Sequence, residues 1–272
     1  MKKNIYLIII TLITIGCIIG GMLYHTGGFS GMRLDKSITR KTETIFQQDG
    51  EVTAVAVDSE VMDVRFRTGE KLEIAYGGNE NLKPEISLDN GTLTITQRGK
   101  AGNHFNLFGF GKNGAKLDVM LPSGTKLEKF ASRIDVCDME IAQLAAAEAV
   151  ISGNTGDIDI TDAAFGSTEI TLNTGDLNVN DSALGSGTIT LDTGDIDVKR
   201  SAFADLRVSA GMGDVEVELA DERSRYAIDL STDLGEVEIF GNDEGRSYSQ
   251  QSSESGGPSL TVTNHVGDIE VK

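Results

Sequence analysis

A heptad recurs at a fixed spacing in the second half of this chain. Asn154-Thr155-Gly156-Asp157-Ile158-Asp159-Ile160 returns as Asn173-Thr174-Gly175-Asp176-Leu177-Asn178-Val179 and as Asp192-Thr193-Gly194-Asp195-Ile196-Asp197-Val198, with the glycines 19 residues apart each time. A period of this size restricts the chain to folds in which one small unit stacks on the next. Nineteen residues are too few for a hairpin-built propeller blade. They suit one turn of a β-solenoid, whose coils pair in parallel with those above and below. The expected fold class is all-β: a single-stranded parallel β-solenoid (β-helix), preceded by one N-terminal transmembrane helix.

Counted from each glycine, the residues two and four places on are apolar: Ile158 and Ile160, Leu177 and Val179, Ile196 and Val198, Val215 and Val217, Val237 and Ile239, Ile269 and Val271. Those five and three places before it follow suit in Ile170 and Leu172, Ile189 and Leu191, Val208 and Ala210. Each period thus holds two strand-like runs with inward residues at alternate places. Ala145, Ala164, Ala183 and Ala202 recur eight places after the corner, and Phe165, Leu184 and Phe203 nine places after, so small and large inward residues are expected to stack on their own kind. Glycine is needed where a corner demands positive φ or close backbone approach. One period before Gly156 the slot holds Cys137, and in an earlier copy of the outline, Val61–Phe66, it holds Met62.

The spacing lengthens to 22 residues between Gly213 and Gly235 and to 32 between Gly235 and Gly267. The second increase is a polar insertion, Gly241–Ser259, expected to be a mobile loop. Stacked in chain order, the coils from Cys137 to Gly267 would span on the order of 30 Å. Ile269–Lys272 would then be an exposed parallel edge, and the insertion is long enough to cover it.

The residue after the corner is acidic throughout: Asp138, Asp157, Asp176, Asp195, Asp214, Glu236 and Asp268. A second outward column reads Glu140, Asp159, Asn178, Asp197, Glu216, Glu238 and Glu270. Unit charges stacked at the strand spacing of about 4.8 Å repel by roughly 0.9 kcal/mol even in water, so one such column costs about 5 kcal/mol before screening. Two offsets are open. Each aspartate can accept backbone N–H bonds within its own turn, which keeps it ionised. Alternatively Asp138, Asp157, Asp176, Asp195 and Asp214 form a column of calcium ligands. Calcium-binding nonapeptide arrays have a denser GGxGxD pattern, and calcium takes six to eight oxygens, more than one column offers. No catalytic or cofactor-binding residue is expected, and calcium is the one cofactor left open. Asn154, Asn173 and Asp192 form an expected side-chain amide ladder, and Thr155, Thr174 and Thr193 a hydroxyl ladder.

Before the repeats, Lys2 and Lys3 precede Ile5–Tyr24, a run of twenty residues without charge and long enough to span a bilayer. The lysines favour a cytoplasmic N-terminus and an extracytoplasmic C-terminal domain. Arg33, Lys36, Arg40 and Lys41 on the far side weaken that bias. Thr14-Ile15-Gly16-Cys17 offers a lipoprotein alternative, opposed by its threonine and by the apolar run continuing to Tyr24. Residues 1–26 therefore form a signal anchor, 27–50 a linker, and 51–272 the solenoid, irregular over 51–128 and regular over 129–272. The chain carries a net charge of -18, so the domain repels nucleic acid and anionic membrane surfaces and attracts cations or basic partners. Cys17 and Cys137 cannot make a disulfide framework.

Between Val52 and Ile95, alternation at Val64 and Phe66, Leu72 to Tyr76, Ile86 and Leu88, and Leu93 and Ile95 predicts half-buried strands. Met139–Ala149 is the only stretch outside the anchor with any helical character. Residues 99–114 hold Phe105, Leu107, Phe108 and Phe110; they cap a core or touch a membrane or partner, and lack the glycine and Ser/Thr of a phosphate loop. His25, His104 and His265 match no zinc spacing, and neither Gly-x-Ser-x-Gly nor His-Glu-x-x-His occurs. Asp159 and Asp197 could be imagined as an acid–base pair, but regularly repeated carboxylates belong to a scaffold. The chain is not expected to be an enzyme.

An N-terminal anchor, alternating strands, the step Val119-Met120-Leu121-Pro122 and repeated Thr-Gly-Asp-Ile-x-Ile coils together resemble the bacterial putative-adhesin family over about residues 45–272. Cys137 and Met62 depart from its glycine pattern. The resemblance implies a β-solenoid domain, in some members membrane-anchored in Gram-positive bacteria and encoded near envelope-stress regulators. It implies an extracytoplasmic binding or scaffold module at the cell envelope, held by residues 5–24 and contacting an envelope protein or wall polymer. The alternatives are a cation-responsive envelope-stress sensor or regulator and, third, a carbohydrate-active enzyme built on a β-helix.

Overall fold

Two parallel ladders meet at the glycine corners in this computed structural model, which describes residues 42–99 and 115–272. In each regular coil a long strand runs into the corner and a short one leaves it, as in Ala145–Thr155 and Ile158–Thr161, then Ala164–Thr174 and Leu177–Asn180. Through the regular coils long strands pair with long and short with short, 19 residues out of step, as in Ile151↔Ile170 and Ile158↔Leu177. The alternation predicts which side chains face in. Ile158, Ile160, Ile170, Leu172, Ile189 and Leu191 are all buried, and each contributes about 1.5–3 kcal/mol by leaving water.

A second corner lies six residues after the first. Gln143, Asp162, Asp181 and Arg200 adopt φ of 59, 53, 51 and 49° there, the left-handed region, without glycine. This shifts the inward phase. Leu144, Ala163, Ser182 and Ser201 are buried, as are Ala146, Phe165, Leu184 and Phe203. Ala145, Ala164, Ala183 and Ala202, expected inside, instead lie on the outer side, half-buried or exposed. Met139–Ala149 is strand, not helix.

The coils do not stack in chain order at either end. Ser259–Val266 lies between Ile196–Met212 and Ala227–Leu234, and Ile269–Val271 between Val215–Leu219 and Val237–Ile239. The expected free edge at Ile269–Lys272 is therefore interior, and the Gly235 coil forms the end. The other end mirrors this. Ala54–Ser59 lies between Thr92–Gln97 and Lys126–Val136, and Met62–Gly69 between Ala115–Pro122 and Met139–Ala142. From end to end the corners are Ala115, Met62, Cys137, Gly156, Gly175, Gly194, Gly213, Gly267 and Gly235. At the parallel-strand spacing this is on the order of 40 Å.

Antiparallel strands close both ends, so the parallel architecture holds for the coils and stops there. Glu73–Gly77 pairs with Ala115–Pro122 and carries Glu43–Gln47 outside it, while Glu85–Asp89 pairs with Thr92–Gln97. Glu43–Gln47 is thus a strand within the expected linker. At the opposite end Ser247–Gln250 pairs with Ala227–Leu234, and Asn242–Asp243 with Val237–Ile239. The polar insertion is accordingly two short strands rather than a mobile loop, and it covers an edge that would otherwise template pairing.

Met62 and Cys137 fill their corner slots with buried side chains, and Phe66 meets Phe130 edge-on at 5.1 Å between ring centroids. Among the described residues no helix is long and apolar enough to cross a membrane. The run Ile5–Tyr24, the Cys17 motif and the phenylalanines Phe105, Phe108 and Phe110 lie outside the described residues.

Candidate functional site: an acidic corner ladder

At Gly156, Gly175, Gly194, Gly213 and Gly267 the backbone φ is 134–135°. A Cβ added to Gly175 would sit 2.1 Å from the carbonyl oxygen of Gly156, and the other corners are equally tight. This turn sends successive N–H groups in opposite directions. Gly175 N donates to Thr193 O at 3.0 Å and Leu177 N to Asp195 O at 2.9 Å, both in the following coil. Between them Asp176 N points to the preceding coil, where the Asp157 carboxylate accepts it at 2.9 Å.

The same bond recurs at each of these corners and at those of Cys137 and Gly235. Asp138 N donates to Asp63 Oδ1 at 3.2 Å, Asp157 N to Asp138 Oδ1 at 3.0 Å, Asp195 N to Asp176 Oδ1 at 2.9 Å and Asp214 N to Asp195 Oδ1 at 2.8 Å. The ladder then follows the spatial order of the coils: Asp268 N donates to Asp214 Oδ1 at 2.8 Å and Glu236 N to Asp268 Oδ1 at 2.9 Å. Asp138, Asp157, Asp176, Asp195 and Asp214 are therefore brought together, but each bonds the next coil rather than its own turn. Glycine permits the close stacking, and aspartate satisfies the donor which that stacking strands. Such charge-assisted bonds offset the repulsion along the column.

Between Arg133 and Lys199 the sequence contains no lysine or arginine. Among the described residues, cations reach this band from its flanks, through Arg65 to Glu140 at 2.7 Å, Lys129 to Glu148 at 2.9 Å, Lys199 to Asp197 at 3.1 Å and Arg200 to Asp181 at 2.8 Å. Asp197 and Asp159 sit two rungs apart, with Asn178 between them donating to Asp159 at 3.0 Å, so they do not face each other as an acid–base pair. The amide ladder forms in part: Asn173 donates to Asn154 and Asn154 to Asp135, each at 2.9 Å, and the expected rung from Asn173 to Asp192 is replaced by this one toward Asp135.

Toward the Gly235 end the two acidic columns widen into a groove of about 420 Å³. Its carboxylates are Asp195, Asp197, Asp214, Glu216, Glu236, Glu238, Asp243, Asp268 and Glu270. Two lysines answer them. Lys199 bonds Asp197 at 3.1 Å, and Lys272 bonds Glu216 at 3.1 Å and Glu270 at 3.0 Å. The Asp197 bond holds the Lys199 ammonium above its ordinary pKa, and the Lys272 bond holds the Glu216 carboxyl below its own. Among the described residues no group of three or more His, Cys, Asp or Glu is arranged to hold a metal ion.

Beside the groove runs an apolar strip. Met212, Val266 and Leu234 stand in register on adjacent rungs and are 54%, 42% and 60% exposed. They occupy the slot immediately before the corner, which upstream holds Val136, Thr155, Thr174 and Thr193. The strip is not visible along the chain, because only the coil order makes these three residues neighbours. The shared slot was the available signal.

His265 Nδ1 lies 2.9 Å from Asp233 Oδ2 on the exposed surface, away from any nucleophile, while His25 and His104 lie outside the described residues. Cys137 is a free thiol, pushed up to about 11 by burial. It is a packing residue rather than a nucleophile.

The Toastrack DUF4097 family profile matches residues 52–265. Among solved structures, a putative adhesin from Bacteroides fragilis is 11% identical, with a TM-score of 0.46, 88% of this chain and 100% of that one covered. A putative adhesin from Parabacteroides merdae is 14% identical, with a TM-score of 0.44 and coverage of 87% and 98%. A putative cell adhesion protein from Clostridium sporogenes is 18% identical, with a TM-score of 0.35 and coverage of 85% and 99%. Among curated proteins, none matches the chain.

Proposed function

The chain belongs to the Toastrack DUF4097 family, and from that premise we propose that it is a membrane-anchored extracytoplasmic module that binds or scaffolds other components of the bacterial cell envelope and performs no catalysis. The observation that carries this reading is the acidic face. Its carboxylates are held at fixed positions by the backbone of the neighbouring coil, over a band without lysine or arginine between Arg133 and Lys199. Such a face offers regularly spaced charge to a partner that spans several rungs, and its field favours basic partners. The anchor rests on the uncharged run Ile5–Tyr24, and the orientation on Lys2 and Lys3.

The test is a photo-crosslinking side chain at Asp159, incorporated into the full chain in intact cells. The expected products are adducts with an envelope protein or wall polymer. Recovery of cytoplasmic proteins alone would overturn both the orientation and the envelope role.

A further inference from the structure

We propose that the end of the solenoid formed by the Gly213, Gly267 and Gly235 coils docks a short, extended cationic segment of a partner protein, with apolar side chains on Met212, Val266 and Leu234 and basic ones over the adjoining groove. The inference rests on the binding-module reading above and names the chemistry of the partner.

Three observations converge. The strip is apolar and solvent-facing on three adjacent rungs, at a slot that carries threonine in the three coils before it and an isolated Val136 before those. Exposed apolar side chains gathered in this way mark contact surfaces. The capping strands do not account for it, because Ser247–Gln250 and Asn242–Asp243 pair edge-on with the Gly235 coil and leave its outward slot open. Second, the groove two residues further along each rung holds nine carboxylates against Lys199 and Lys272. That excess repels a second copy of this chain, a nucleic acid or an anionic lipid surface, and complements a cation. Third, three rungs span about 10 Å, the reach of three or four extended residues. Apolar contact and charge are therefore offered together within one short motif.

The experiment measures binding of a fluorescent peptide of alternating lysine and leucine, about eight residues long, to the full chain in a nonionic detergent. Its control peptide has serine in place of leucine. The M212T/V266T/L234T variant introduces the residue found in the same slot of the three preceding coils, and E236Q/E238Q removes two carboxylates that make no ion pair within 4.0 Å among the described residues. Each is expected to weaken the lysine–leucine peptide about tenfold, while E169Q on the opposite ladder leaves it unchanged. The serine peptide should bind weakly to every variant.

If the threonine variant, folded by circular dichroism, binds as tightly as the parent, the docking surface is wrong. Equal loss in E169Q would assign the binding to bulk charge. A threonine variant that changes only the sedimentation of the peptide-free chain would make a second copy the occupant and overturn the proposal. Envelope adducts at Asp159 that persist alongside such a failure would leave the binding module standing and remove the docking surface alone.

Discussion

Asp268 and Glu236 are bonded in the reverse of their chain order. Asp268 Oδ1 accepts the backbone N–H of Glu236 at 2.9 Å, although Glu236 comes 32 residues earlier. The last coil of the chain is wedged between two that were made before it. Truncating the chain after Pro258 therefore removes an interior coil, not a fraying end. It would strand the inward faces of Val208, Val215, Leu230 and Val237, all buried. We expect this truncation to expose the Gly213 and Gly235 coils together to limited proteolysis and to abolish the cooperative melt of that end. A benign truncation, the ordinary result for a chain terminus, would contradict the inserted coil.

The corner carboxylates are predicted to act through the N–H groups they accept. D176A leaves the exposed Asp195 N–H without its carboxylate partner, at a cost of about 1 kcal/mol. D176N keeps an acceptor and should cost less. D159N, on the outward column, removes a like charge and should lie within about 0.5 kcal/mol of the parent. Urea denaturation of the three variants gives the order. Equal effects of D176A and D159N would show that the corner bond contributes nothing.

The two kinds of glycine separate strain from collision. G175A meets the Gly156 carbonyl oxygen at 2.1 Å and keeps φ at +134°, so it should destabilise by more than about 2 kcal/mol. Gly245 also has positive φ, +77°, but nothing lies within 4 Å of an added Cβ. G245A should cost only about 1 kcal/mol. In a domain of this size the difference is several degrees of melting temperature.

The corners were legible because their requirement is local and repeats: positive φ and close approach select glycine, and a stranded N–H selects aspartate. The second corner was not, since Gln143, Asp162, Asp181 and Arg200 are of three different types, none of them glycine, although all turn left-handed. Missing it put Ala164 and Ala202 inside when they lie outside. Coil order was illegible for a different reason. Each coil presents nearly the same inward pattern, so Ile269 and Val271 fit against Val215 and Val217 as well as against Val237 and Ile239, and in fact pair with both. The face that results, with Met212, Val266 and Leu234 side by side, exists only in space.

Stability should respond to acid through the groove. The Lys272 hydrogen bond, and after it the nearby Lys199 charge, hold the Glu216 pKa below its ordinary value. A depressed folded-state pKa contributes stability that is present above the unfolded value, about 4.3, and is lost as pH falls through the folded one. Asp58, through its hydrogen bond from Arg98, and Asp181, through that from Arg200, act in the same direction. Melting temperature measured from pH 7 to 3 should fall below about pH 5, and E216Q should flatten part of that fall. An acid limb unchanged in E216Q would remove Glu216 from the account.

Ser247–Gln250 and Asn242–Asp243 occupy the outer hydrogen-bonding edge of the Gly235 coil. Arg223 ties them down: its Nε donates to Gln250 Oε1 at 2.9 Å and its guanidinium lies 5.0 Å from the centre of the Tyr248 ring. Gln250 Nε2 in turn donates to the carbonyl of Tyr226 at 3.2 Å. Replacing residues 241–257 with a short Gly-Ser linker strips that edge while keeping every coil. The backbone groups of Ala227–Leu234 then face solvent in a row, the arrangement that recruits a second chain. Light scattering should show concentration-dependent association of the deletion variant. R223A, which loosens the cap without removing it, should associate to a smaller extent. A deletion variant that stays monomeric would show that the end is protected by the charge of the acidic columns and not by the two strands.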